Sequence, residues 1–284
     1  MTSDKENAGP RPVVYRPMVY RHRLATRLWH WGNALVVLVM LMSGLMIFNA
    51  HPRLYWGSYG ANSDHAWLAI GSIQDRGLLR IGPIDVPTTG VLGHWTDKRG
   101  AIRTTAFPGW ATIPGHYDLA AARRWHLSFA WLLVAGGLLY GVASLANRHF
   151  RDDLAPRGGE FGPRALWRDA ARHARLRFPR GEEARRYASL QKLAYIGLIF
   201  VLLPVMILTG FTMSPAIDAA WPWLLDLFGG RASARSIHFI TAFLIVGFVL
   251  VHLAMVLLSG PFNQIRAMVT GRYRLPADEE EEGA

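Results

Sequence analysis

The chain has 284 residues, 51% of them hydrophobic and 18% charged, with eleven tryptophans, no cysteine and a formal net charge of +11. Without a thiol there can be no cysteine-ligated iron–sulfur cluster, no thiolate catalysis, no disulfide and no haem attached through a CxxCH motif. The positive charge sits in blocks separated by long uncharged stretches, which argues against nucleic acid as a partner.

Residues 1–27 are polar and basic, with Lys5, Arg11, Arg16, Arg21, Arg23 and Arg27. No apolar h-region is present, so this does not read as a cleavable signal peptide, and the next stretch is expected to be an uncleaved anchor. That stretch, 28–48, has no charged side chain and opens on Leu28-Trp29-His30-Trp31. Residues 49–125 are too polar for a bilayer but dense in turn formers, and they contain Trp56, Trp67, Trp95 and Trp110. Disordered linkers are poor in tryptophan, so an ordered outer loop is expected, with a short interfacial helix at 66–70. Its His51, His65, His94 and His116 show no metal-ligand spacing and read as surface histidines.

The second uncharged stretch, 126–146, is entered through Arg123-Arg124-Trp125-His126, repeating the order of basic residue, tryptophan and histidine at the first. Residues 147–192 carry eleven arginines and include a stretch, 167–177, suited to an amphipathic helix on anionic membrane lipid, although a solvated topogenic loop is the favoured reading. The third stretch, 193–213, has no histidine and contains Pro204, which predicts a kink. The fourth, 237–258, holds both His238 and His252; 259–284 reads as a short interfacial helix followed by an acidic tail at 278–282.

Stretches of 21 or 22 uncharged residues match the roughly 20 that cross a hydrocarbon core of about 30 Å as a helix. Four transmembrane spans are therefore expected. The arginine-rich segments 1–27 and 147–192 should be cytoplasmic by the positive-inside rule. Loops 49–125 and 214–236 then lie outside and both termini inside. The eight basic residues of loop 49–125 run against the rule, but long loops translocate largely regardless of charge.

Histidine in an apolar span needs a partner. His238 and His252 are fourteen residues apart, which on a helix returns to within about 40° and advances about 21 Å. Alternating span directions bring His30 to the level of His252 and His126 to that of His238. Two imidazole pairs at two levels match the axial ligation of two stacked b-type haems, which carry electrons. Gly44, fourteen residues after His30, and Gly137, eleven after His126, would leave room for a porphyrin edge. A proton relay would ordinarily include acidic groups, which the spans lack, and a dinuclear metal site needs its ions within about 4 Å. The expected fold is all-α: an integral membrane four-helix bundle (28–258) with two haem b, an ordered outer loop and short interfacial helices.

The motifs Arg27-Leu28-Trp29-His30-Trp31 and Arg124-Trp125-His126, with the His238/His252 spacing, resemble the di-haem membrane cytochrome b superfamily over about 28–273. The thiosulfate reductase cytochrome b subunit type is the nearest match; formate dehydrogenase gamma and nickel–iron hydrogenase cytochrome b subunits are related. The resemblance pairs His30 with His252, as the topology does. It implies a multi-pass protein of the bacterial inner membrane that links quinone to a periplasmic redox protein or enzyme subunit, often a molybdenum enzyme. Arg23, Arg27, Asn33 and Lys192 would lie near the cytoplasmic haem, and Arg27 and Arg124 are candidates for its cofactors' propionates or for lipid. The alternatives are a superoxide:quinone oxidoreductase, drawing superoxide to Lys98, Arg99, Arg103, Arg123 and Arg124, and a transporter or anchor without haem.

Overall fold

The computed structural model describes residues 17–61, 63–156, 158–176 and 187–275. Lys5, Arg11, Arg16 and the acidic tail 278–282 lie outside the described residues. In chain order the elements are β1 (Met18–Tyr20), α1 (Leu24–Phe48), β2 (Arg53–Leu54), β3 (Leu68–Ile73), β4 (Arg76–Ile81), β5 (Ile84–Pro87), β6 (Trp95–Thr96), β7 (Ile102–Arg103), α2 (Leu119–Ala146) and α3 (Pro163–Ala174). There follow α4 (Ser189–Gly197), α5 (Leu203–Thr212), α6 (Pro215–Ala220), α7 (Trp223–Leu227), α8 (Arg231–Leu258), α9 (Pro261–Thr270) and β8 (Arg272–Arg274). The chain divides into two compact units, one of Leu28–Ala143 with Ile196–Leu250, the other of Met1–Arg27, Ser144–Tyr195 and Val251–Ala284.

Four helices are long and apolar enough to cross a membrane: Leu24–Phe48, Leu119–Ala146, Ser189–Thr212 and Arg231–Leu258. Most of their apolar side chains are exposed or only partly covered by protein; Leu139 and Leu145 are 72% and 71% exposed, the surface that lipid requires. The helices outrun the uncharged stretches because charge marks the hydrocarbon boundary whereas capping marks the helix end. α2 starts seven residues before His126, where the Asp118 carboxylate accepts from the Ala121 N–H at 2.9 Å.

Span three is where the expected irregularity falls. Pro204 has no N–H, and its ring crowds the carbonyl four residues earlier. A π-helical turn, Leu198–Leu202, joins α4 to α5 just before it and absorbs the misfit.

The described residues of 49–125 are ordered, but not with the helix expected at 66–70. Leu68–Ile73 is strand β3, in an antiparallel sheet of order β2-β3-β4-β5. Alternation sends Leu68 and Ile70 inward, and Gln74 and Asp75, at φ 47° and 60°, make the two-residue turn that a tight hairpin uses. The sheet buries Leu54, Leu68 and Ile70 with Phe48, Ala106 and Phe107, packed by Leu45 of α1 and Phe239 of α8. Asn49 fastens it: its amide donates to the Phe107 carbonyl (3.1 Å) and accepts from the Phe107 N–H (2.7 Å).

The same loop is laced to the start of α8. Ser233 N–H donates to the Gly57 carbonyl and Gly57 N–H to the Ser233 hydroxyl. Trp67 Nε1 donates to Ser236 Oγ, which donates to the Tyr55 carbonyl at 2.6 Å. Gly230, at φ 102°, lies so close to the Ser58 backbone that a Cβ would come within 2.6 Å, so only glycine fits.

In the other unit β1 pairs with β8 in the register Val19↔Tyr273, over buried Ala267, Tyr273 and Leu275. Against the solvated loop favoured for 167–177, the described residues form α3, Pro163–Ala174; the helix expected after span four is α9. Lys192, 3% exposed, is neutralised by Glu160 at 2.8 Å, and Asp169 of α3 accepts from the Leu190 N–H at the start of α4.

Candidate functional site: a paired-imidazole centre

His126 of α2 and His238 of α8 lie in one compact unit with ring centres 6.3 Å apart and planes at 62°. Each ring is held from behind at Nδ1. Ser43 Oγ lies 3.1 Å from His126 Nδ1, and the Met40 carbonyl is equally close. Thr209 Oγ1 lies 3.0 Å from His238 Nδ1.

These contacts fix the tautomers. A hydroxyl has one proton, and Ser43 directs its own to the Val39 carbonyl at 2.7 Å, Thr209 to the Val205 carbonyl at 2.6 Å. Towards the imidazoles both oxygens can only accept, so each Nδ1 donates. The lone pair is then on Nε2 of both rings, the form in which neutral imidazole binds a metal. A glycine follows each hydroxyl residue. A Cβ on Gly44 would lie 3.3 Å from His126 Cε1, and one on Gly210 3.5 Å from His238 Cε1.

Two axial metal–nitrogen bonds of about 2 Å put the ring centres of opposed imidazoles about 6 Å apart, so the pair fits a six-coordinate haem iron. Among the described residues no three His, Asp or Glu side chains converge on a metal position. The donor set is thus two neutral nitrogens, suited to axial ligation of a macrocycle and not to a protein-only metal cage.

The other expected site residues are placed as follows. His30 packs edge-on to Trp31 at 5.1 Å, in the same unit as His126. His252 lies fourteen residues beyond His238 on α8, in the other unit. Gly137 faces the Trp29 indole, which stacks on Tyr140, and Gly136 is tighter still, with a built Cβ 2.7 Å from that ring. Indole packing explains both glycines. Arg27 donates to the Val269 carbonyl and Arg23 to that of Asn147, while Arg124 is exposed on α2. Asn33 Oδ1 is buried without a hydrogen-bond partner. Of the outer basic residues, Arg103 is ion-paired with Asp97 at 2.8 Å, which removes it from the set available to an anion. The hydrogen bonds of Asp97, first that from the Ala101 N–H and then that from Arg103, hold its carboxyl below the usual range.

The family model for prokaryotic cytochrome b561 matches residues 21–271. The chain belongs to the prokaryotic cytochrome b561 family. It is accordingly a bacterial membrane electron-transfer protein of a family that carries b-type haem. It is similar to "Putative protein-methionine-sulfoxide reductase subunit YedZ1" of Azospira oryzae, at 25% identity over 82% of this chain and 87% of that one. It is also similar to "Putative cytochrome YdhU" of Escherichia coli, at 24% identity over 90% and 75%. No solved structure matches it.

Sequence reading missed what supports His126 and His238, namely Ser43, Thr209 and Gly210. Their signal is present: Ser43-Gly44 in span one and Thr209-Gly210 in span three are the same small-hydroxyl-plus-glycine pair.

Proposed function

We propose that the chain is a di-haem cytochrome b of the inner membrane that moves electrons between the quinone pool and a periplasmic oxidoreductase. The observation that carries this reading is the His126/His238 pair, with both Nε2 lone pairs left for one iron. His30 and His252 would hold the second haem, on the strength of span direction and the fourteen-residue interval on α8. Haem held there would supply a one-electron carrier at each level. The protein's part is to fix ligand tautomers, exclude water and set the interval between levels. The N- and C-termini would be cytoplasmic and the 49–125 loop periplasmic, with span boundaries at 28–48, 126–146, 193–213 and 237–258.

The name of the Azospira relative, a reductase subunit, supports a partner enzyme over stand-alone chemistry. The ion pairing of Arg103 removes one of the cations offered for superoxide. Purification of the chain with its neighbours tests the reading: two b-type haems per chain, reducible by quinol and oxidised by a co-purifying periplasmic protein, are expected. Quinone reduction driven by superoxide in the isolated chain would reverse it in favour of superoxide oxidation, and absence of haem would leave only an anchor or transporter.

A further inference from the structure

The protein pairs three of its exposed arginines and leaves a half-buried one without a carboxylate. Arg80 bonds Asp85, Arg103 bonds Asp97, and Arg231, in the first turn of α8, bonds Asp218. Arg235, one turn further along that helix, has its guanidinium 5.7 Å from the Phe48 ring and donates to the His51 carbonyl at 2.5 Å. That bond uses one of five donors. Among the described residues no carboxylate is within ion-pair distance of Arg235, and a half-buried charge in that state is unfavourable.

Two further polar atoms beside it are stranded. His51 Nε2 and Tyr55 Oη are buried and have no hydrogen-bond partner, although Tyr55 is only 4% exposed. The two rings stack with centres 5.8 Å apart, and Tyr55 is close enough to Arg235 to interact with it electrostatically. The hydrogen bonds from α8 to the loop hold this group in place, since Tyr55 gives its carbonyl to Ser236 and His51 gives its own to Arg235. A half-buried cation and two buried, unused polar atoms call for an anion with several acceptor oxygens. Quinone is neutral and would leave the charge uncompensated.

We propose that Arg235, His51 and Tyr55 form a carboxylate site that receives the propionates of the haem held by His126 and His238. Arg235 precedes His238 by three residues, which puts it about 60° round the helix and about 4.5 Å along it. The inference rests on the haem reading of that histidine pair. Arg235 is a positioning residue here: it anchors the macrocycle edge and favours the reduced, less positive iron.

The test uses the full chain in detergent with its haems. Arg235→Gln should shift the propionate bending bands in the resonance Raman spectrum and lower the reduction equilibrium of the His126/His238 haem about tenfold, about 59 mV for a one-electron couple. Arg235→Lys should restore most of the potential but not the bands, and Tyr55→Phe should shift the bands alone. If Arg235→Gln lowers thermal stability while bands and potential stay as in the parent, Arg235 only pins the His51 carbonyl and the proposal is overturned. A parent potential that moves with added chloride would mean an exchangeable anion and would also overturn it. A parent chain lacking a His238-dependent haem would overturn both this inference and the reading beneath it.

Discussion

At the scale of single residues, the proposed ligands His126 and His238 are set by what stands behind them. Histidine type and spacing are visible in sequence because an imidazole in an apolar span is conspicuous. Ser43 and Thr209 are not, because serine and threonine in membrane helices commonly turn their hydroxyls to the carbonyl four residues back, and these two do so. Only the second use of the same oxygen, accepting from Nδ1, makes them part of the site, and that needs α1 beside α2 and α5 beside α8. Replacing Thr209 with valine keeps the volume and removes the acceptor. Loss of such a supporting hydrogen bond typically costs 10–100-fold in affinity for the bound group, about 1.4–2.8 kcal/mol. Thr209→Val should therefore release haem from one site at dilutions where the parent keeps two, and Thr209→Ser should not; pyridine haemochrome assays of the two variants give the ratio.

Among the elements, hydropathy located the spans while side-chain hydrogen bonds set where helices begin and how the 49–125 loop is tied. The loop's order was legible in its tryptophans, but its β form was not, because the helical reading of 66–70 ignored the Gln74-Asp75 turn that pairs Leu68–Ile73 with Arg76–Ile81. Asn49 is the peg between that sheet and α1. Asn49→Ala would leave the Phe107 N–H and C=O buried and unmet, at about 1–3 kcal/mol each. The loop should then open well below the melting temperature of the helices, seen as faster amide exchange in 53–107 with the haem spectrum still intact. The β6–β7 hairpin has a separate acid limit. Asp97 is held below the usual carboxylate pKa, so the stabilisation it gives is present above its unfolded value of about 3.9 and is lost as pH falls through the lower folded value. Amide protection at Ala101 should persist to about pH 4 and fail below it, and Asp97→Asn should lower it at neutral pH.

For the whole molecule, the decisive quantity is the fourteen-residue interval on α8, because that one helix carries a candidate ligand for each proposed haem. If pairing follows depth, the two sites share that helix but no ligand. His238→Ala should then remove the haem held with His126 and leave the other, and His252→Ala should do the reverse. The partners give the internal check: His126→Ala should match His238→Ala in haem content, redox midpoint and optical band, and His30→Ala should match His252→Ala. Each single variant should keep about half the haem of the parent, since a b-type haem bound through one imidazole loses most of its affinity. A double variant His126→Ala/His238→Ala should look like either single one, because both remove the same group. Should His30→Ala instead resemble His238→Ala, the pairing by depth would be wrong and the spans would have to be reordered.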